Sequence, residues 1–377
     1  MNALVIDDHL VQLTSNLRKE LHDTPELSGE EFKTRHHLIT FLEEHTSVEI
    51  HDFGSWFYAV HRAPNTQETI ALRADHDAIR HPNGHAFHGC GHDGHSAILA
   101  GLALHIEQTP IDRNVVYLFQ PSEENGLGAK ECLNLFSLEK IDRIYGMHNF
   151  PTFELGKIIT RAGTIMCSSV GMSITFTGRQ THAATPEHGI NPAYAIAKLT
   201  TLLAPLSEFK GYQAFAWQGE SFSSMVLATI VSSQVGQTNH FGISPDNGKL
   251  QLTLRAENHH DLQKLIRLIE EQIKLLTNEA NLTVQIEFID EFVETANSAD
   301  DVELFASALD KANLAHSILP EPFRPSEDFG HYLLAKPGVF FGIGSGLNTA
   351  PLHDIAYEFP DEMIPYGIQA FGALLLN

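Results

Sequence analysis

Residues 88–106 read HGCGHDGHSAILAGLALHI. The first half holds His88, Cys90, His92, Asp93 and His95, spaced by Gly89, Gly91 and Gly94. The second half is apolar almost all round, the pattern of a helix buried on every side. Glycines permit tight backbone, so metal-capable side chains are crowded against the start of a buried helix. Cys90 and His92 are two apart and can point to one side of a looped chain. The helix begins near Asp93, and its N-terminus favours anions, a thiolate included. By itself a Cys-x-His pair is as well explained by a structural cysteine beside surface histidines.

The segments around this stretch set the fold class. TIALRAD (69–75) reads as a strand before it and NVVYLFQP (114–121) as a strand after it. LGAKECLNLF (127–136) then reads as a helix and IDRIYGMHN (141–149) as a strand. Alternation of this kind predicts a mostly parallel sheet covered by helices. Helical spacing also runs through residues 6–46, broken by the turn DTPELSGE. From about residue 168 the rhythm changes. SVGMSITFTG (169–178), SMVLATIVSS (224–233), KLQLTLRAE (249–257) and NLTVQIEFID (281–290) read as strands. NPAYAIAKLTTLLAPL (191–206), with Asn191 as N-cap, and DLQKLIRLIEEQIKLLTNEA (261–280) read as helices. The order βαββαβ fits a ferredoxin-like domain. The fold class expected is therefore α/β: a mixed, mostly parallel sheet domain, 1–168 and 291–377, with an inserted ferredoxin-like domain, 169–290.

Composition excludes several functions. A chain of 377 residues with 43% hydrophobic content has room for two cores. The formal charge of −23 repels phosphate backbones, so neither nucleic acid nor an anionic membrane is expected as a partner. No run approaches the ~18 apolar residues of a membrane span, and MNALVIDDHLVQLTSN lacks the pattern of a signal peptide. Three cysteines are too few for a disulfide framework and predict a cytoplasmic protein.

Further chemistry-bearing residues lie where strands end. YLFQPSEENG places Glu123 and Glu124 at a strand's C-terminal end, where parallel sheets bind ligands. Adjacent carboxylates repel, which is tolerable if one binds metal and the other handles protons. YGMHNFP puts His148 just past a strand, ALRADHDAI puts Asp75, His76 and Asp77 at another, and TAPLHDIAYEF carries His353. Each alone reads equally as a solvated loop or a structural histidine. Together Cys90, His92, Glu124, His148 and His353 supply ligands for a two-metal site. Mixed sulfur, nitrogen and oxygen donors suit zinc or manganese, with cobalt or nickel as further options.

The pieces LHDTPELSGEE, ALRADHDAI, HGCGHDGHSA, FQPSEENGLGA, MHNFPTFELG, GRQTHAATPEHGINP, PSEDFGHYL and LHDIAYEFPDEMI run from residue 21 to 364. In this order they resemble the M20 family of metallopeptidases. The likeness is to the amidohydrolase branch, with hippurate hydrolases, N-acyl-amino-acid deacylases and indole-acetyl-amino-acid hydrolases. The resemblance implies that the same five residues hold two metal ions and that Glu123 is the general base. It implies that the insertion is a lid and dimerisation domain and that the protein is a homodimer. His182, in the THAA piece, would donate to the developing oxyanion, and Asp77 would orient a ligand histidine. Asn239 and Arg255, expected on lid strands, would grip the carboxylate of the substrate. His76 and Arg80 stand where methionine and proline are common in the family. The substrate implied is an N-acyl amino acid bearing an acetyl, benzoyl or arylacetyl group. A dipeptidase or carboxypeptidase would use the same site on small peptides. A hydrolase with Cys90 as nucleophile leaves the two glutamates and the later histidines unexplained, and a non-catalytic binding protein leaves an intact Glu123 without a role.

Overall fold

A computed structural model describes residues 6–64, 66 and 68–376. The alternating segments form an eight-stranded sheet. Its order is Glu49–Asp52, Phe57–His61, Asn114–Gln120, Thr69–Asp75, Arg143–Phe150, Gly338–Gly344, Ile158–Thr160 and His316–Ile318. The four central strands, Asn114–Gln120 to Gly338–Gly344, are parallel, and the antiparallel pairs lie outside them. Thr69–Asp75 is buried along its whole length, as expected where helices cover both faces of a parallel sheet. The helix His92–Glu107 buries every residue except His105 and Glu107. It shares one apolar core with the helices Asp8–His22, Phe32–His45 and Ile364–Leu375.

Three local expectations are corrected. Residues 127–136 form two short helices, Gly128–Cys132 and Leu135–Leu138, with Asn134, a weak helix former, at the break. His148 lies inside its strand rather than past it, because pairing with Gly338–Gly344 continues to Phe150. The helix expected from Asn191 begins at Ala193. Pro192 is its cap residue, and the Asn191 carboxamide accepts from Ala193 N at 2.9 Å.

The chain divides into two compact units. One takes the described residues up to Ile165, Thr295–Pro322 and those from Glu327 onward; the other takes Met166–Glu294 and Phe323–Ser326. The second unit holds a four-stranded antiparallel sheet in the order Val226–Val235, Asn247–Ala256, Ser168–Thr177, Thr283–Phe292. Strand Asn247–Ala256 alternates buried and less buried residues. Its inward side chains share a core with helices Ala193–Leu203 and His259–Ala280. Asn258 caps the longer helix by accepting from Asp261 N at 2.9 Å. The hairpin Phe215–Trp217/Glu220–Phe222 and the return of residues 323–326 to this unit are not evident in the sequence pattern. Among the described residues no helix is long and apolar enough to cross a membrane.

Candidate metal centre

The candidate donors arrive on separate segments of the first unit, most of them near the C-terminal ends of its parallel strands. Thr69–Asp75 leads into Asp77, Asn114–Gln120 leads into Glu123 and Glu124, and Arg143–Phe150 contains His148. The loop bearing Cys90 turns at Gly91, the cap residue of the buried helix, which has φ +96°. A Cβ there would lie 2.5 Å from Asn149 Oδ1, so the turn needs glycine on both counts. His353 is held at φ +67°, uncommon for a non-glycine residue, and its N–H donates to Gly89 O at 2.8 Å.

These segments bring the candidate donors into one cluster. Donor atoms of Cys90, His92 and His148 lie within 4.8 Å of one another. So do those of Cys90, Glu124 and His353, and those of His92, Glu123 and Glu124. Cys90 Sγ is 3.4 Å from His148 Nε2, and His353 Nε2 is 3.5 Å from a Glu124 oxygen. His92 Nε2 is 3.9 Å from Glu124 and 4.0 Å from Glu123. Both adjacent carboxylates therefore reach the same imidazole. Of the two, only Glu123 also lies within the same distance of Glu327 and Asp328.

The ring nitrogens on the far side are already committed. His92 Nδ1 donates to Asp77, 3.0 Å to its carboxylate and 3.1 Å to its carbonyl. His148 Nδ1 donates to Asn149 O at 2.8 Å. This ties down the far side of each ring and aims both Nε2 atoms into the cluster. There, buried His92 Nε2 and Glu124 Oε1 have no hydrogen-bond partner. An unpaired buried donor or acceptor is costly, and these two converge on a cysteine and two further histidines. The donor set fits a divalent cation.

Charge in the cluster points the same way. Burial pulls His92 down, but the carboxylates of Asp75 and Asp77 outweigh it and carry it up to about 10. Burial, then the other imidazoles His95 and His92, hold His148 well below the ordinary histidine range. Burial and the carboxylates of Glu124 and Glu123 push the Cys90 thiol well up. The helix N-terminus expected to favour a thiolate is outweighed, so Cys90 needs a nearby cation to ionise. That also counts against a self-activated cysteine nucleophile. Burial, with Glu327 and Glu124 next, raises Glu123 well above the ordinary carboxyl range.

Behind the donors lies a buried polar layer whose partners are distant in sequence. Arg73 donates to Gln120 Oε1 at 2.8 Å, Asp75 Oδ2 at 2.7 Å, Glu327 Oε1 at 3.1 Å and Asp328 Oδ1 at 2.8 Å. Asp75 also holds His95 Nδ1 at 2.6 Å, and His95 contacts Asn149, which in turn contacts Tyr357. One signal for this layer is present in TIALRAD: an arginine inside an otherwise apolar strand requires buried acids. His76 is fully buried with neither ring nitrogen hydrogen-bonded, and burial pulls it down to about 4.

The remaining expected site residues belong to the second unit. His182 is exposed on the short strand Thr181–His182, and its Nδ1 accepts from Ala184 N at 3.0 Å. In the neutral ring Nε2 is therefore the donor. Asn239 lies in an exposed turn at φ +64° rather than on a strand, a conformation that asparagine tolerates. Arg255 is on strand Asn247–Ala256 and donates to Arg324 O at 3.1 Å and Ser326 Oγ at 2.8 Å.

The sequence model of Peptidase family M20/M25/M40 matches residues 66–377. An N-acetyldiaminopimelate deacetylase of Exiguobacterium sibiricum is 29% identical over 93% of this chain and 95% of its own length. The IAA-amino acid hydrolase ILR1-like 4 of Arabidopsis thaliana is 27% identical over 95% of this chain and 84% of its own. In fold, the chain is similar to the Bacillus subtilis YXEP protein, a dinuclear metal binding peptidase from M20 family. The TM-score is 0.80 at 23% identity, with 98% of each chain covered.

Proposed function

The chain belongs to the M20/M25/M40 peptidase family, and from that premise we propose that it is a metal-dependent hydrolase of small N-acyl amino acids. The observation that carries this is the pair of buried atoms without a hydrogen bond, His92 Nε2 and Glu124 Oε1, close to Cys90, His148 and His353. These five residues would hold two divalent ions, zinc or manganese, with cobalt or nickel accepted. When bound, such ions supply Lewis-acid polarisation of a carbonyl and bring a water's pKa to about 7.

The chain's own groups do the rest. Glu123 takes the proton of a water attacking the amide carbonyl and returns it to the departing amine. Asp77 keeps the His92 proton on Nδ1. We read the second unit as a ferredoxin-like lid that also mediates a homodimer. Its His182 donates Nε2–H to the oxyanion, and Asn239 and Arg255 bind the amino-acid carboxylate, for which a guanidinium is suited.

Chelator treatment should abolish amide hydrolysis, and added zinc or manganese should restore it. Activity that survives complete metal removal would refute the metal mechanism. The same reconstituted enzyme, tested on N-acetyl, N-benzoyl and N-indoleacetyl amino acids and on dipeptides, separates the deacylase reading from a peptidase. A clear preference for dipeptides would overturn the deacylase.

The route of His182 has its own test. Inactive Glu123→Gln and His182→Ala variants are mixed and allowed to exchange subunits. Activity should reappear, because each mixed dimer regains one intact composite site. A mixture that stays inactive after verified exchange places His182 in its own subunit's site, or in none.

A further inference from the structure

The turn between Pro121 and Glu123 brings both adjacent glutamates to the cluster, and it is not an easy conformation. Ser122 has φ +54°, a region that serine enters rarely. The backbone around it is tied on every side. Ser122 O accepts from Gly128 N at 3.0 Å, and Glu123 O accepts from Gly126 N at 2.8 Å. Glu124 N donates to Asp77 Oδ2 at 3.1 Å. The remaining tie comes from far away in sequence: Ser122 N donates to Glu31 Oε1 at 2.8 Å.

Glu31 is otherwise hard to account for. It is 5% exposed and has no cation within ion-pair distance among the described residues. The turn DTPELSGE, residues 23–30, runs into the helix at whose start Glu31 sits, and the sequence marks Glu31 with no role of its own. In the structure this segment grips the site twice, since Ser28 Oγ also donates to Asp77 Oδ2 at 2.7 Å. Asp77 in turn holds both His92 Nδ1 and Glu124 N. Burial and the Asp77 carboxylate push Glu31 up to about 7, while backbone N–H groups, those of Gly29 and Ser122 among them, pull it down.

We infer that Glu31 is a positioning residue: by accepting the Ser122 N–H it locks the reversal that presents Glu124 to metal and Glu123 to water. This rests on the roles given above to those two glutamates. Only the acceptor atom and its reach matter, not the charge. A glutamine at 31 keeps both, whereas an aspartate keeps the charge but withdraws the oxygen by one methylene.

The test compares full-length wild type, Glu31→Gln and Glu31→Asp by hydrogen exchange of the metal-free protein over residues 121–125, and by titration with cobalt(II). E31Q should match wild type within about twofold in both. E31D should exchange about tenfold faster there and bind cobalt ~10–100-fold more weakly, the range for losing a partner that orients a ligand. An E31D protein that matches wild type in either measurement overturns the inference, as does an E31Q protein as impaired as E31D. If E31D does not fold, E31Q still decides: a tenfold loss of cobalt affinity in that variant refutes the role, and wild-type behaviour supports it. A wild type that takes up no cobalt refutes the metal centre and this inference with it. Cobalt binding unaffected in both variants refutes the inference alone.

Discussion

Glu123→Gln is expected to retain its metal and lose about 10²-fold or more in kcat, the range for losing a general acid–base, whereas Glu124→Gln loses metal and activity together. The separation follows from where each carboxylate faces. Glu124 shares donor distance with Cys90 and His353, while Glu123 shares it with Glu327 and Asp328. Both lie about equally far from His92 Nε2, so distance to that imidazole does not distinguish them. Metal analysis after dialysis, run beside the kinetics, checks the division. Equal metal loss in the two variants would contradict it.

Arg73→Met is expected to cost ~3–5 kcal/mol of stability, the scale for removing one partner from a buried ionic cluster. Arg73 is fully buried and is the guanidinium that Asp75, Glu327 and Asp328 all contact. Its loss leaves three carboxylates in low dielectric, each disfavouring ionisation. Burial already holds Asp328 well above the ordinary carboxyl range with Arg73 present, and losing the guanidinium pushes it further. For an acid raised in this way the penalty is full above its folded-state pKa, shrinks as pH falls from there toward ~4, and is gone below ~4, where both states are protonated. Denaturant unfolding of the metal-free protein at pH 7 and pH 5 measures it. A loss below ~1 kcal/mol at pH 7 would show that the acids are neutralised by other means.

The central strands were legible because a parallel sheet covered on both faces imposes a near-continuous apolar run, and between its two ends TIALRAD breaks that rule only at Arg73. The candidate donors were legible for a related reason: strand ends are where polar residues have no packing role, so Glu123 and Glu124 stand out there, while His148 sits inside its strand. What could not be read was support reaching across the chain. Arg73 meets Glu327 and Asp328 only after 254 and 255 residues, and no periodicity links such positions. Glu31 was hidden at the start of a helix, where an acid is explained locally. Asn239 lies in the turn after strand Val226–Val235, between the two segments whose pattern reads as strand.

Strand Gly338–Gly344 lies between Arg143–Phe150 and Ile158–Thr160 in the finished sheet, yet it is translated after the whole inserted unit. At ~5–20 residues per second, the gap between those neighbours lasts on the order of 10–40 s on the ribosome. Throughout that interval the strand carrying His148 offers an open, apolar edge of the kind that other chains can pair with. His353 emerges later still. A nascent chain therefore cannot assemble the full donor set, and capture of metal by all five residues is an event that follows synthesis rather than accompanying it.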